Sequence, residues 1–382
     1  MDNFNCPYIF SIMKIGIFTF HCAANYGAVL QTFCLQEVLK SMGHDVYVID
    51  YHPKYLFDPY KTFLYDYTLF DSFFAKCKGL LRASLVVPIR WKRNQAFFQF
   101  IHHCLNLYQL DLNDESNDFD AFVFGSDQIW NPKITCGFDK VYLGDFPAAK
   151  GKKLIAYAAS AGSILNFIGE DTDYFLSRLQ CFDKVTVREK SLAEYINQKS
   201  LITSEVVFDP VLLAGFPILH KLLNGKILNK ESSKQPYLLL FQIIRNDDVA
   251  SYAATIAKSK GLKLIEIATM RESLFNNNMK QTVSVEELLS YFINAVYIIT
   301  TSFHGTVLSI LFNKPFNTIS LNKNIDERSL SLLKELNLSD RMLNIYGKVI
   351  SPLWIDYISI NDLYETKKIE SYNILNNSLL CH

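Results

Sequence analysis

The sequence has 382 residues, 49% of them apolar and 20% charged, which excludes a disordered, collagen-like or coiled-coil chain and supplies material for two buried cores. Lys plus Arg equals Asp plus Glu at 38 each, so the basic excess of a duplex nucleic-acid binder is absent and any anion must be held by a local site. The 29 Phe and 21 Tyr are mostly core by expectation, with a share left for a sugar-binding or partner-binding cleft.

Lys14–Phe20 reads as a buried strand, followed by the loop His21–Gly27, a helix over Ala28–Met42 and a strand over Asp45–Asp50. This βαβ unit opens a doubly wound sheet. An aromatic-rich stretch, Tyr51–Leu110, is predicted helical. Strands follow at Phe119–Phe124, Lys153–Ala158 and Lys184–Val187, and Val206–Pro210 closes the series. Gly215–Gln235 turns to Asn, Lys and Ser and reads as a connection. A second series then runs through strand Tyr237–Phe241, helix Asp247–Lys260, strand Lys263–Ile267, helix Val285–Asn294, strand Val296–Thr300, helix Gly305–Phe312 and strand Pro315–Ile319. Two such arrays predict an α/β fold of two Rossmann-like domains facing across a cleft. The expected boundaries are 1–214, a connection at 215–235, a second domain at 236–346 and a helical segment at 347–382.

The eight cysteines, at 6, 22, 34, 77, 104, 136, 181 and 381, form no C-x-x-C pair and read as reduced, mostly buried thiols. No apolar run approaches the ~20 residues of a membrane helix. Met1–Phe10 carries Asp2 and no Lys or Arg, unlike a signal peptide, and Met13 is the more natural beginning. The expected location is cytoplasmic.

In open α/β sheets ligands bind beyond the carboxyl ends of strands, and four post-strand loops carry unexplained polar groups. Asn25-Tyr26-Gly27 opens a helix whose free N–H groups suit an anion or a sugar hydroxyl, or serves only as a structural helix start. In Gly125-Ser126-Asp127-Gln128, Asp127 is either a proton acceptor or a helix N-cap, and Trp130 follows closely. Arg188 stands at a helix start, where the dipole disfavours a cation, so a carboxylate or phosphate ligand would account for it. Ser302-Phe303-His304-Gly305-Thr306 places a plausible N-cap, a histidine able to exchange a proton near neutral pH, and two N–H groups for an anion in one turn. No metal is expected. There is no H-x-x-x-H pair, His102 and His103 point to different helix faces, and the Asp118-Phe119-Asp120 pair precedes its strand.

Together Asn25–Gln31, Gly125–Pro132, Ala158–Gly162, Val187–Leu192, Asp209–Leu213 and Thr301–Ser309 resemble the polysaccharide pyruvyl transferase family, in order over some 300 residues. The resemblance implies a GT-B-like pair of Rossmann domains, the first on the acceptor side and the second on the donor side. It implies transfer of the enolpyruvyl unit of phosphoenolpyruvate to a sugar of a surface or exopolysaccharide precursor, forming a pyruvate ketal without a further cofactor. By that resemblance Asp127 matches a family acidic residue, Arg188 a phosphoenolpyruvate-binding arginine and His304 the second-domain histidine. Some characterised relatives carry an arginine two residues before that histidine, where Ser302 stands here. Arg328 is the candidate substitute, with Lys323 and Arg245 weaker ones.

His304 is then expected to protonate C3 of the donor and Asp127 to accept or orient the hydroxyl proton, while Arg188, Arg328 and the Gly305–Thr306 helix start hold anionic groups. Asn25, Tyr26, Gly27, Ser126, Trp130 and Ser302 are expected to line the substrate site, with Tyr26, Trp130 and Phe303 available for sugar stacking. The partners expected are phosphoenolpyruvate and a saccharide acceptor, and a lipid-linked acceptor would bring the protein to a membrane surface. The rival readings are a GT-B glycosyltransferase using a nucleotide sugar and a non-catalytic glycan-binding relative.

Overall fold

The computed structural model describes residues 12–62, 73–223, 235–270, 272, 276, 278–321, 327–345 and 355–380. Met1–Phe10 and Lys323 lie outside the described residues.

The first sheet is built from β1 (Lys14–Phe18), β2 (Asp45–Ile49), β3 (Leu107–Tyr108), β4 (Ala121–Phe124), β5 (Lys153–Ala159), β6 (Lys184–Val187) and β7 (Ser204–Val206). The second contains β8 (Tyr237–Ile244), β9 (Lys263–Met270), β10 (Met279–Lys280), β11 (Tyr297–Thr300), β12 (Phe316–Ile319) and β13 (Met342–Leu343). Their orders, β3-β2-β1-β4-β5-β6-β7 and β10-β9-β8-β11-β12-β13, are both doubly wound. Every described strand pair is parallel, with Ile17 beside Val123 and Ile299 beside Leu240 at the two points where the order reverses. The strands read as continuous apolar runs because helices cover both faces.

In the first domain the helices are α1 (Tyr26–Ser41), α2 (Lys54–Phe57), α3 (Phe73–Cys104), α4 (Pro132–Thr135), α5 (Thr172–Leu179), α6 (Lys190–Lys199) and α7 (Pro210–Leu222). The second has α8 (Asp247–Ser259), α9 (Val285–Asn294), α10 (Phe303–Leu311) and α11 (Glu327–Glu335), and α12 (Tyr357–Leu379) ends the chain. The predicted connection therefore begins as helix. α7 runs through its first residues, broken only at Gly215, whose φ of 67° only glycine adopts at ease, and Leu219 is fully buried beyond it. Val206–Pro210 is likewise not all strand, since β7 stops at Val206 and Asp209 caps α7.

The two domains share one hydrophobic cluster containing Ile17, Val29 and Val123 from the first and Leu239, Ile298 and Val307 from the second. α1 is buried almost all round, as its apolar sequence demands, and packs against α7. Arg90 on α3 forks onto Glu272 of the second domain (Nε to Oε1 2.8 Å, Nη2 to Oε2 3.1 Å), and Arg93 adds a contact at 3.2 Å. α12 returns to the first domain, where the Tyr364 hydroxyl donates to the Leu212 carbonyl at 2.7 Å. Among the described residues no helix is long and apolar enough to cross a membrane. The thiols depart from expectation: Cys34 is buried, whereas Cys77, Cys136 and Cys181 are exposed on helix surfaces and turns.

Candidate functional site

The candidate site is organised around a residue the sequence reading passed over. Asp209 follows β7 and opens α7, where its Oδ1 accepts the Val211 N–H at 2.8 Å in a helix N-cap. Its Oδ2 accepts from Arg188 Nη1 at 2.7 Å and from the Ser126 hydroxyl at 3.2 Å, and lies 3.5 Å from His304 Nε2. Burial alone would raise this carboxyl, but His304 and Arg188 outweigh it and hold it well below the ordinary carboxylate range. One carboxylate thus ties together the ends of β4, β6 and β7 and the start of α10 in the other domain.

Arg188, just beyond β6, is buried, and Asp209 anchors only one of its nitrogens. Nη2 approaches Asp127 Oδ1 at 3.5 Å, too far for a hydrogen bond, so the Nε–Nη2 edge has no hydrogen-bond partner among the described residues. Two guanidiniums approach the Phe303 ring, with Arg188 Cζ 5.3 Å and Arg328 Cζ 5.4 Å from its centre. The ring expected to stack on sugar is thus engaged by cations. Arg328, near the start of α11, has a buried Nε with no hydrogen-bond partner among the described residues. Burial, and then the like charge of Arg188, lower its affinity for a proton. Beside them Glu189 takes a short hydrogen bond from the Ser160 hydroxyl on one oxygen, and the other has no hydrogen-bond partner among the described residues. Burial pushes its carboxyl up, against the pull of Arg188.

His304 lies in the first turn of α10, which starts two residues earlier than predicted. Its imidazole rests on α1 of the opposite domain: a Cβ on Gly27 would stand 2.1 Å from Nδ1. Nδ1 is thus walled off, and Nε2 is the nitrogen left facing Asp209, without a hydrogen-bond partner among the described residues. Asn25 caps α1 by accepting the Gly27 N–H at 2.9 Å, so its carbonyl oxygen is already engaged.

Several expectations change. Trp130 is fully buried, its Nε1 donates to the Tyr142 carbonyl at 3.1 Å, and it packs edge-on to Phe175, so it belongs to the core. Tyr26 is buried between the domains, its hydroxyl bound to the Val283 carbonyl at 2.6 Å and its ring against Phe97 and Phe241. In this arrangement neither presents a free face to a sugar. The Thr306 N–H is spent on the Ser302 carbonyl at 3.0 Å, which leaves the α10 start to Phe303, His304 and Gly305. Ser302 holds the N-cap position without a side-chain cap, and Gly305 sits where a Cβ would strike Thr300. Asp127 is no helix cap, because the next helix is capped by Asn131. Arg245 is held by Glu266 (2.7 Å) and Asp247. Asp209 carried one readable signal, the Asp-Pro pair that opens a helix.

No curated protein matches the sequence. The chain is similar in fold to UDP-N-acetylglucosamine 2-epimerase from Rickettsia bellii, with TM-score 0.47, 11% identity, and 96% of this chain and 97% of that one covered. It is also similar to UDP-GlcNAc 2-epimerase from Methanocaldococcus jannaschii in complex with UDP-GlcNAc and UDP (TM-score 0.48, 10% identity, 93% of each chain). A third similarity is to an O-GlcNAc transferase mutant from Thermobaculum terrenum (TM-score 0.43, 8% identity, 96% of this chain and 63% of that one). The polysaccharide pyruvyl transferase profile matches residues 25–323, most of the sequence and nearly all of the constellation above, and the chain belongs to that family.

Proposed function

We propose that the protein moves the pyruvyl unit of phosphoenolpyruvate onto two hydroxyls of one sugar in a surface or exopolysaccharide precursor, giving a cyclic ketal and phosphate. The observation that supports this reading is the convergence of buried donors with no hydrogen-bond partner among the described residues: the Nε–Nη2 edge of Arg188, Nε of Arg328 and Nε2 of His304. Such groups are costly unless a ligand uses them, about 1–3 kcal/mol each. A guanidinium edge pairs with a carboxylate in two parallel hydrogen bonds, so Arg188 takes the donor carboxylate. Arg328 and the first N–H groups of α10 take the phosphate.

His304 then delivers a proton from Nε2 to C3, and C2 becomes electrophilic. The first sugar hydroxyl bonds to C2 and gives its proton to Asp127. Phosphate leaves with the C–O bonding pair, the second hydroxyl closes the ring at C2, and its proton leaves with phosphate. Asp209 faces the imidazole at Nε2 and holds Arg188 in place throughout. His304 and Arg188 are only 7% and 6% exposed, so the donor gains access when the domains part at the α1–α10 contact.

Calorimetric titration with phosphoenolpyruvate, followed by transfer to a panel of hexopyranosides, tests the proposal. Wild type should bind the donor and release phosphate with acceptor. Arg328→Ala should weaken donor binding, and His304→Ala should bind donor yet fail to transfer. Equal transfer by wild type and His304→Ala contradicts the assignment.

A further inference from the structure

We propose that His21, Asp50 and His52 form a binding site for a divalent transition-metal ion of the zinc type on the first domain. His21 follows β1, and Asp50 and His52 follow β2, so the sheet brings together residues 29 positions apart. That distance is why sequence spacing gave no metal signature. His21 Nε2 lies 3.0 Å and His52 Nε2 2.5 Å from the same oxygen, Asp50 Oδ1, and one ligand atom from each residue falls within 4.8 Å of the others.

A second observation fixes the imidazole. His21 Nδ1 faces the Thr19 carbonyl at 3.3 Å, and a carbonyl can only accept, so Nδ1 carries the hydrogen. A hydrogen on Nδ1 makes Nε2 the nitrogen that can ligate, and Nε2 is the one aimed at the carboxylate oxygen Asp50 Oδ1. A backbone carbonyl on the far nitrogen is the usual way a metal-ligating histidine is oriented. The second Asp50 oxygen is held by the Gln109 side chain, which leaves Oδ1 to the two imidazoles.

Two imidazole nitrogens and one carboxylate suit zinc, cobalt or ferrous iron and not the all-oxygen preference of calcium or magnesium. The His21 side chain is fully buried, Asp50 is 15% exposed and His52 51% exposed, so the ion would keep one side open to water or to an oxygen of a bound substrate. Thr19 joins this site to the first, since its hydroxyl donates to the Ser126 carbonyl at 3.4 Å. The assignment does not rest on pyruvyl transfer.

Equilibrium dialysis of the full chain against Zn²⁺, read by elemental analysis, tests it, with wild type beside His52→Ala and Asp50→Asn. His52 is half exposed, so its loss should leave the melting temperature near that of wild type. One zinc per wild-type chain is expected, with affinity at least ~10-fold weaker in both variants. Cobalt should give d–d bands without a thiolate charge-transfer band. The proposal is overturned if wild type retains no stoichiometric zinc, if either variant binds as wild type does, or if cobalt reports thiolate ligation.

Discussion

Gly27→Ala places one methyl group between the two domains. The new Cβ would stand 2.1 Å from His304 Nδ1, 2.7 Å from Cε1 and 2.8 Å from Cγ, against an ordinary contact of 3.4 Å or more. The imidazole, or the domain carrying it, must therefore retreat by about 1.3 Å. Local stability argues the other way, because alanine is favoured over glycine inside a helix by about 1 kcal/mol. The melting temperature should thus change little while chemistry suffers. A displacement on the order of 1 Å at a reacting group costs roughly 100-fold in rate. Steady-state transfer from phosphoenolpyruvate, measured beside thermal unfolding, separates the two effects. Gly43→Ala is the control: its φ of +93° makes it strained, with nothing within 4 Å, so it should lose stability and keep its rate. A Gly27→Ala protein with wild-type kcat/KM would refute the reasoning that the α1–α10 contact positions His304.

Asp209→Asn should destabilise the fold by about 3–5 kcal/mol at pH 7 in urea, because Arg188 loses its buried counter-charge. The Asp209 carboxyl is held below its unfolded value, so its contribution is complete above the usual carboxylate range and fades as pH falls toward the folded value. The gap between variant and wild type should therefore narrow at pH 3, and a constant gap would count against the ion pair. Glu189 has the opposite sign. Its carboxyl is raised in the fold, so ionising it costs stability as pH climbs above the usual glutamate range. Glu189→Gln should melt like wild type at pH 4 and higher than wild type at pH 8; equal melting at both would exclude the penalty. Trp130→Ala should cost about 3–5 kcal/mol and leave the acceptor KM unchanged. A stable variant with a raised acceptor KM would return Trp130 to the substrate site.

The order of elements was readable because both sheets are parallel and their strands are unbroken apolar runs such as Phe122–Phe124 and Tyr237–Phe241. The two-residue strands β3, β10 and β13 were missed, being too short to show any period. Arg188 and His304 stood out locally, each in a post-strand turn that packing does not explain. Asp209 did not, since an Asp before Pro satisfies its local role as a helix cap while its second oxygen serves residues 83 positions upstream and in the other domain. The aromatic candidates failed for a related reason. Tyr26 and Trp130 lie beside site residues in sequence, but their side chains turn into the domain contact and the first-domain core.

The central claim, that His304 of one domain protonates a donor held by Arg188 of the other, is tested most directly by running the transfer in D₂O and reading the ketal methyl by mass spectrometry. The account predicts one deuterium per ketal in the wild-type product, phosphate released in equal amount, and no ketal from His304→Ala. An unlabelled methyl, or a labelled ketal formed at the wild-type rate by His304→Ala, would contradict it.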